Sequence, residues 1–278
     1  MKLFRSRPRG RDDAGQSTTS PLARAAALYH AGRYAEAEAE ARAVAEARSH
    51  VRDDPYGPLA MTVAALAMGA QGRHAESLAV YDALLPVFGR IFGAEHAQTL
   101  KVRSDRAQVL SSLARHAECE AECAAVARTA ARGTGPQMPD IAVAARNGLV
   151  FAVNAQGRHT EAETLAREAL AAHHTSDRFA LVLRLGLARS LNGQGRHEEA
   201  LAEAERADGL CRALPDEDHR AETGAVELAV ATALLGLGRD TEARARASAA
   251  HDACLAAFGP DHRRTVEART LLDRMRAA

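Results

Sequence analysis

The chain has 278 residues, 36 basic and 36 acidic side chains, 47% hydrophobic residues, 4% aromatic residues and no tryptophan. Zero formal net charge argues against a general polyanion binder, which needs a basic excess to displace counterions from phosphates. No apolar run approaches the roughly 18 residues of a membrane span, and Met1–Ser20 is not expected to act as a secretory leader, because Arg5, Arg7, Arg9 and Arg11 precede no apolar stretch.

Taken in chain order, residues 1–20 mix charge, Gly, Ser and Pro without periodicity and are expected to form a disordered basic tail. From residue 21 onward the sequence is alanine-rich, with few β-branched runs, and reads as all-α, since alanine is the best helix former. A short motif, Gly-Arg-aromatic/His-x-Glu-Ala, recurs with starts at 32, 72, 114, 157, 195 and 238, at spacings of 40, 42, 43, 38 and 43. The copies are Gly32–Ala37, Gly72–Ser77, Ala114–Cys119, Gly157–Ala162, Gly195–Ala200 and Gly238–Ala243. Each sits between two segments of helical period, so its glycine is expected to end one helix in the left-handed backbone region before the next begins. Ala114 breaks that pattern and predicts a strained turn. Small residues recur seven before the motif start (Ala25, Ala65, Ala107, Val150, Ala188, Ala231) and five after it (Ala37, Ser77, Cys119, Ala162, Ala200, Ala243), which lets antiparallel helices pack closely.

This pattern resembles the tetratricopeptide repeat, and the longer period is similar to its kinesin-light-chain-like subclass. The linkers Phe92-Gly93-Ala94-Glu95-His96-Ala97-Gln98-Thr99 and Phe258-Gly259-Pro260-Asp261-His262-Arg263-Arg264-Thr265 carry that likeness, with a partial copy from Leu214 to His219 followed by Thr223. The resemblance implies an all-α fold, a right-handed α-α superhelix of six helix pairs at about 21–48, 56–90, 96–132, 138–174, 177–213 and 219–257, plus a capping helix at 262–277. It implies a solenoid over 21–278 whose first helices line a concave groove that binds a protein or peptide partner, without enzymatic activity and without a cofactor.

On this reading the groove positions lie ten, six and three residues before each motif start, and the middle of the groove is polar: Ser104, Gln108, Asn147, Asn154, Arg189 and Asn192. Amide side chains carry donors and acceptors and can clamp a peptide backbone; the alternative is a solvated groove without ligand. Asn147 matches the first Asn of an Asn-Asn-Leu-Ala stretch common in the kinesin-light-chain-like repeats, and Gly148 replaces the second. Arg103, Arg146 and Arg184 share one offset and, with Arg189, make a basic ladder for a carboxylate, or else answer glutamates on the neighbouring helix. His74, His116, His159 and His197 fill the slot of Tyr34 one repeat apart, which favours a packing role over a metal column. Cys119, Cys123, Cys211 and Cys254 show no Cys-x-x-Cys spacing and read as reduced core thiols of a cytoplasmic protein. No phosphate loop, nucleophile elbow or dinucleotide signature is present, so no catalytic site is expected. The rival functions are a regulatory peptide sensor acting through a partner such as a transcription factor, and a nucleic-acid binder or enzyme resting on the basic tail alone. Leu234, Leu235 and Leu237 offer an apolar stretch for self-pairing into a homo-oligomer.

Overall fold

The computed structural model describes residues 21–51, 53–215 and 222–277. The tail expected at 1–20 and the start of the sixth pair expected at 219 lie outside them. Thirteen helices and no strand occur among the described residues: α1 (Pro21–His30), α2 (Tyr34–Ala47), α3 (Tyr56–Ala70), α4 (His74–Ile91), α5 (Ala97–Ser112), α6 (His116–Arg132), α7 (Met138–Ala155), α8 (His159–Ala172), α9 (Arg178–Gly193), α10 (His197–Ala213), α11 (Ala225–Gly236), α12 (Asp240–Phe258) and α13 (Arg263–Ala277). They form six antiparallel pairs followed by one unpaired first helix.

The motif makes each turn by the same local chemistry. Its first residue lies at positive φ in all six copies, from +57° at Ala114 to +78° at Gly72. The following arginine N–H reaches back to the carbonyl five residues earlier, from 2.9 Å (Arg73 to Met68) to 3.2 Å (Arg158 to Val153), the bond that closes a helix C-terminus after a left-handed residue. The arginine side chain then forks onto the glutamate three residues on, for example Arg115 onto both oxygens of Glu118 at 2.6 Å. The fork repeats at Glu36, Glu76, Glu161, Glu199 and Glu242, so the second helix starts with a neutralised acid beside its positive dipole end. Ala114 holds its left-handed turn at a cost of roughly 1–2 kcal/mol for an L-residue. Ala114→Gly is therefore expected to raise stability by roughly 0.5–1 kcal/mol, after glycine's greater unfolded-state entropy is subtracted, read as a later denaturation midpoint.

The small residues are the contact points. Those seven before and five after each motif start are at most 2% exposed. Where Ser77 replaces alanine, its hydroxyl donates to the Ala65 carbonyl at 2.8 Å and stays satisfied while fully buried. Each buried methyl-sized group contributes only about 0.8 kcal/mol, so the fold depends on the same contact recurring in register. First helices touch one another (α1 with α3, α5 with α7, α7 with α9, α9 with α11), while second helices touch only first helices to a comparable extent. Layers that meet on one side and splay on the other curve, and the first helices line the inside.

The two intact linkers are built alike. Thr99 Oγ1 donates to the Gly93 carbonyl at 2.8 Å, and Thr265 Oγ1 to the Gly259 carbonyl at 2.9 Å. His96 stacks on Phe92 and His262 on Phe258, and each imidazole Nδ1 accepts the N–H two residues on. Thr223 differs. Thr99 and Thr265 lie inside α5 and α13, but Thr223 lies two residues before α11, because Gly224 intervenes at φ +72°. A Cβ on Gly224 would stand 2.3 Å from Cys254 Sγ, so that close approach requires glycine.

Candidate functional site

The inner face is assembled from α3, α5, α7, α9, α11 and α13. At its middle, Gln108 on α5 is exposed and Asn147 on α7 is half-buried, and neither side chain is hydrogen-bonded to a described residue. Ser104 beside them donates to the Leu100 carbonyl one turn back at 3.0 Å. Further along, the Phe151 ring carries two cations, with the Arg189 guanidinium 5.3 Å and the Arg263 guanidinium 4.7 Å from its centroid. Arg189 also meets Glu267 at 2.6 Å, so α13 is tied across the curve to α7 and α9. Desolvation, then Arg189 and Arg264, pull the Arg263 guanidinium below its usual range. Burial, then Arg264, Arg263 and the distant His74, hold His262 down to about 4, so it is neutral at pH 7.

Towards the other end, the Asp105 carboxyl on α5 has no hydrogen-bond partner among the described residues, and burial pushes it up to about 7. The Tyr81 hydroxyl is buried without a partner among the described residues, and Asp105 adds to the burial that raises its phenol. Tyr29 is pushed up to about 12 by burial, then by Tyr34 and Asp105. A buried acid thus lies beside Tyr81 and Tyr29, while guanidinium groups gather on the inner face where α13 crosses.

The profile of the tetratricopeptide repeat matches residues 143–175, which span the body of α7, the Gly157 turn and α8. That match falls on one of six copies that share one turn geometry and one set of buried contacts. Residues 143–175 are a tetratricopeptide repeat by that match. No curated protein matches it in sequence. Among solved structures, the fold of this repeat protein is similar to the putative kinesin light chain nearly identical TPR-like repeats of Podosopora anserina (TM-score 0.58, 19% identity, 69% of this chain and 93% of that one). A variant of that same protein superposes with a TM-score of 0.59 at 19% identity, over 69% of this chain and 92% of that one. Bacillus thuringiensis PlcR, in complex with the peptide PapR7 and DNA, is similar at a TM-score of 0.58 and 15% identity, over 81% of this chain and 76% of that one.

The repeats bring together only part of the side chains expected in the groove. Ser104, Gln108, Asn147 and Arg189 lie on the first helices as described, but Arg189 is already paired with Glu267. Asn154 is 4% exposed, its amide donating to Ser190 Oγ at 2.9 Å and to the Gly186 carbonyl at 3.2 Å while Oδ1 faces His159 Nδ1 at 3.1 Å. Asn192 faces His197 Nδ1 at 3.1 Å in the same way. Asn154 therefore holds a repeat turn together instead of presenting its amide to a ligand, while Asn192, half-buried, is engaged through Oδ1 alone. Where the repeat has Gly69 or Ser111 in that place, the Nδ1 atoms of His74 and His116 are buried with no partner among the described residues. Two of the column's histidines pack closely on the next repeat: a Cβ on Gly193 would stand 2.4 Å from the His159 ring, and one on Gly236 2.3 Å from the His197 ring.

The arginine ladder is largely answered from within. Arg103 bonds Glu122 at 2.6 Å and Arg184 bonds Glu203 at 2.7 Å, which corrects the expectation that Arg184 faces a ligand. Arg146 lines a cavity with Ala130, Gly133, Val143 and His173, at the ends of α6 and α8. Gly148 replaces asparagine because a Cβ there would stand 2.7 Å from Cys123 Sγ. Cys119, Cys123 and Cys254 are buried and Cys211 is half-buried. Leu234 is buried, and Leu235 and Leu237 are half-buried, which leaves little of that stretch for a second copy. No helix among the described residues is long and apolar enough to cross a membrane.

Sequence reasoning missed the polar clasp between successive repeats. Glu38 receives Gln71 at 3.0 Å and Arg73 at 2.7 Å, Glu120 receives Gln156 and Arg158 at 2.7 Å, and Glu163 receives Gln194 at 2.8 Å and Arg196 at 2.7 Å. The signal was present: where the glutamate place holds Leu78 or Leu201, the glutamine place of the next repeat holds Leu113 or Leu237.

Proposed function

We propose that this protein is a non-enzymatic cytoplasmic scaffold that holds a peptide segment of another protein on the inner face of α5 and α7. The observation that carries the reading is the pair of unbonded amides, Gln108 and Asn147, on first helices that touch each other. Each amide offers two donors and an acceptor, the groups an extended backbone needs. A chain of similar fold, PlcR, is held in complex with a peptide, which supports the same use here. The double substitution Gln108→Ala and Asn147→Ala is expected to weaken a partner segment by about 10- to 100-fold, the loss of two hydrogen bonds at about 0.7–1.4 kcal/mol each. Arg184→Ala, whose guanidinium is bonded to Glu203, serves as the control and leaves affinity unchanged. Equal affinity of the double variant and the wild type, in a titration calorimeter, removes the inner face from consideration.

A regulatory sensor acting through a partner such as a transcription factor is the second reading. It is favoured by the ties of α13 to Phe151 and Arg189, which a segment entering the curve would have to break. A radius of gyration that grows on saturation with the segment, by small-angle X-ray scattering, supports the sensor; an unchanged radius supports the passive scaffold.

A further inference from the structure

Arg103, Arg146 and Arg184 each stand eleven residues before their motif, yet only Arg146 is left without an answer among them. The acids that bond Arg103 and Arg184 lie nineteen residues further on, at Glu122 and Glu203. Nineteen residues beyond Arg146 the chain has Leu165, which offers a guanidinium nothing. Two other copies keep the two places matched in character, Met61 with Val80 and, with the charges reversed, Glu227 with Arg246. Arg146 makes no hydrogen bond or ion pair with a described residue, and it borders a cavity of about 290 Å³ among α6, α7 and α8.

The rest of the wall is mostly small and apolar. Ala130 and Gly133 close it from the end of α6, Val143 from α7, and Ala172 and His173 from the end of α8. His173 is engaged elsewhere, its Nε2 2.7 Å from Asp177 Oδ1 and 2.9 Å from Thr175 Oγ1. Two helix C-termini therefore border the cavity, and their partial negative charge favours the arginine there but supplies no carboxylate to pair with it.

We propose that this cavity is a carboxylate-binding site, taking the terminal carboxylate or an acidic side chain of a peptide. A guanidinium binds a carboxylate through two parallel hydrogen bonds, and the pair strengthens where water is displaced by apolar walls. The helix-end carbonyls accept the peptide N–H groups that flank such a carboxylate. The site lies on the second-helix side of α7, away from Gln108 and Asn147, so its failure leaves the inner-face reading intact.

The test is a ¹H–¹⁵N NMR titration of the full chain, following the Arg146 Nε and Gly133 amide resonances. The probes are trialanine, trialanine with an amidated C-terminus, and N-acetyl-aspartyl amide. Saturable shifts from trialanine identify a terminal carboxylate as the ligand group, and shifts from N-acetyl-aspartyl amide identify a side-chain carboxylate; the amidated trialanine should bind at least about tenfold more weakly. Arg146→Met, which removes only an unpaired charge, should fold and lose the response. Leu165→Glu, which restores the acid found in the neighbouring repeats, should lose it too by occupying Arg146. The proposal is overturned if neither carboxylate saturates the wild type, if the amidated peptide binds equally well, or if Arg146→Met still responds; should Leu165→Glu fail to fold, Arg146→Met decides alone.

Discussion

Asp105→Asn makes the protein more stable at pH 8, by about 1–3 kcal/mol. The carboxyl has no partner among the described residues, and burial raises it from an ordinary 3.8 to about 7, against a weaker opposing pull from Lys101. The same place in other repeats holds Val63, Gly148, Gly186 and Ala229, so a charge there is an exception to the repeat. The sign follows from proton uptake. A carboxyl raised on folding binds its proton more tightly in the folded chain, so its penalty is full above about 7 and is relieved as pH falls from 7 towards 3.8. His262 acts oppositely: depressed from 6.5 to about 4, it favours the folded chain above 6.5 and loses that contribution as pH falls from 6.5 to 4. Denaturant midpoints by circular dichroism at pH 8 and pH 6.5 (~1.5 units apart, a window in which Asp105 dominates) should rise on acidification in the wild type and stay flat in Asp105→Asn. A variant less stable than the wild type at pH 8 contradicts the assignment.

Gly224→Ala is expected to be the most damaging of the conservative changes, at about 2–4 kcal/mol. Two costs add. The φ of +72° is unfavourable for any L-residue, by roughly 1–2 kcal/mol, and the new methyl would stand 2.3 Å from Cys254 Sγ and 3.1 Å from the Ala250 carbonyl. The two can be separated by a double-mutant cycle. Cys254→Ala in the Gly224→Ala background should recover the steric part and leave the backbone part. No recovery would mean that α12 does not approach Gly224 as closely as described.

The fold was legible because each copy of the motif specifies its own turn. Left-handed glycine, the arginine N–H that closes the preceding helix and the arginine–glutamate fork all act within a few residues, and six independent copies agree. Even the exception, Ala114, declared itself, and its φ of +57° follows the other five. The place of Thr223 outside α11 was not legible, because the repeat pattern carried no information about Cys254, 31 residues away, whose sulfur requires a glycine at 224.

The inner face was legible only in part, for a physical reason. An offset from the motif gives the face of the helix a residue occupies, but not what the next repeat brings to it. Asn154 met Ser190, and Arg184 met Glu203, so both were used in joining repeats. Matched pairs nineteen residues apart, and the Glu–Gln and Leu–Leu alternation across repeats, carry that information in the sequence. The tie from Arg189 to Glu267, 78 residues apart, depends on curvature accumulated over several repeats, which no single repeat encodes.

The central claim is that a partner segment lies along α5 and α7 on the inside of the curve. A photo-crosslinking residue placed at Asn147, and in a separate protein at exposed Glu168 on the outer helix α8, tests it directly by mass spectrometry of the joined peptides. Cross-links to one defined segment of the partner from position 147, with few from position 168, are the expected result. Equal labelling at both positions, or labelling from the outer helix alone, would contradict it.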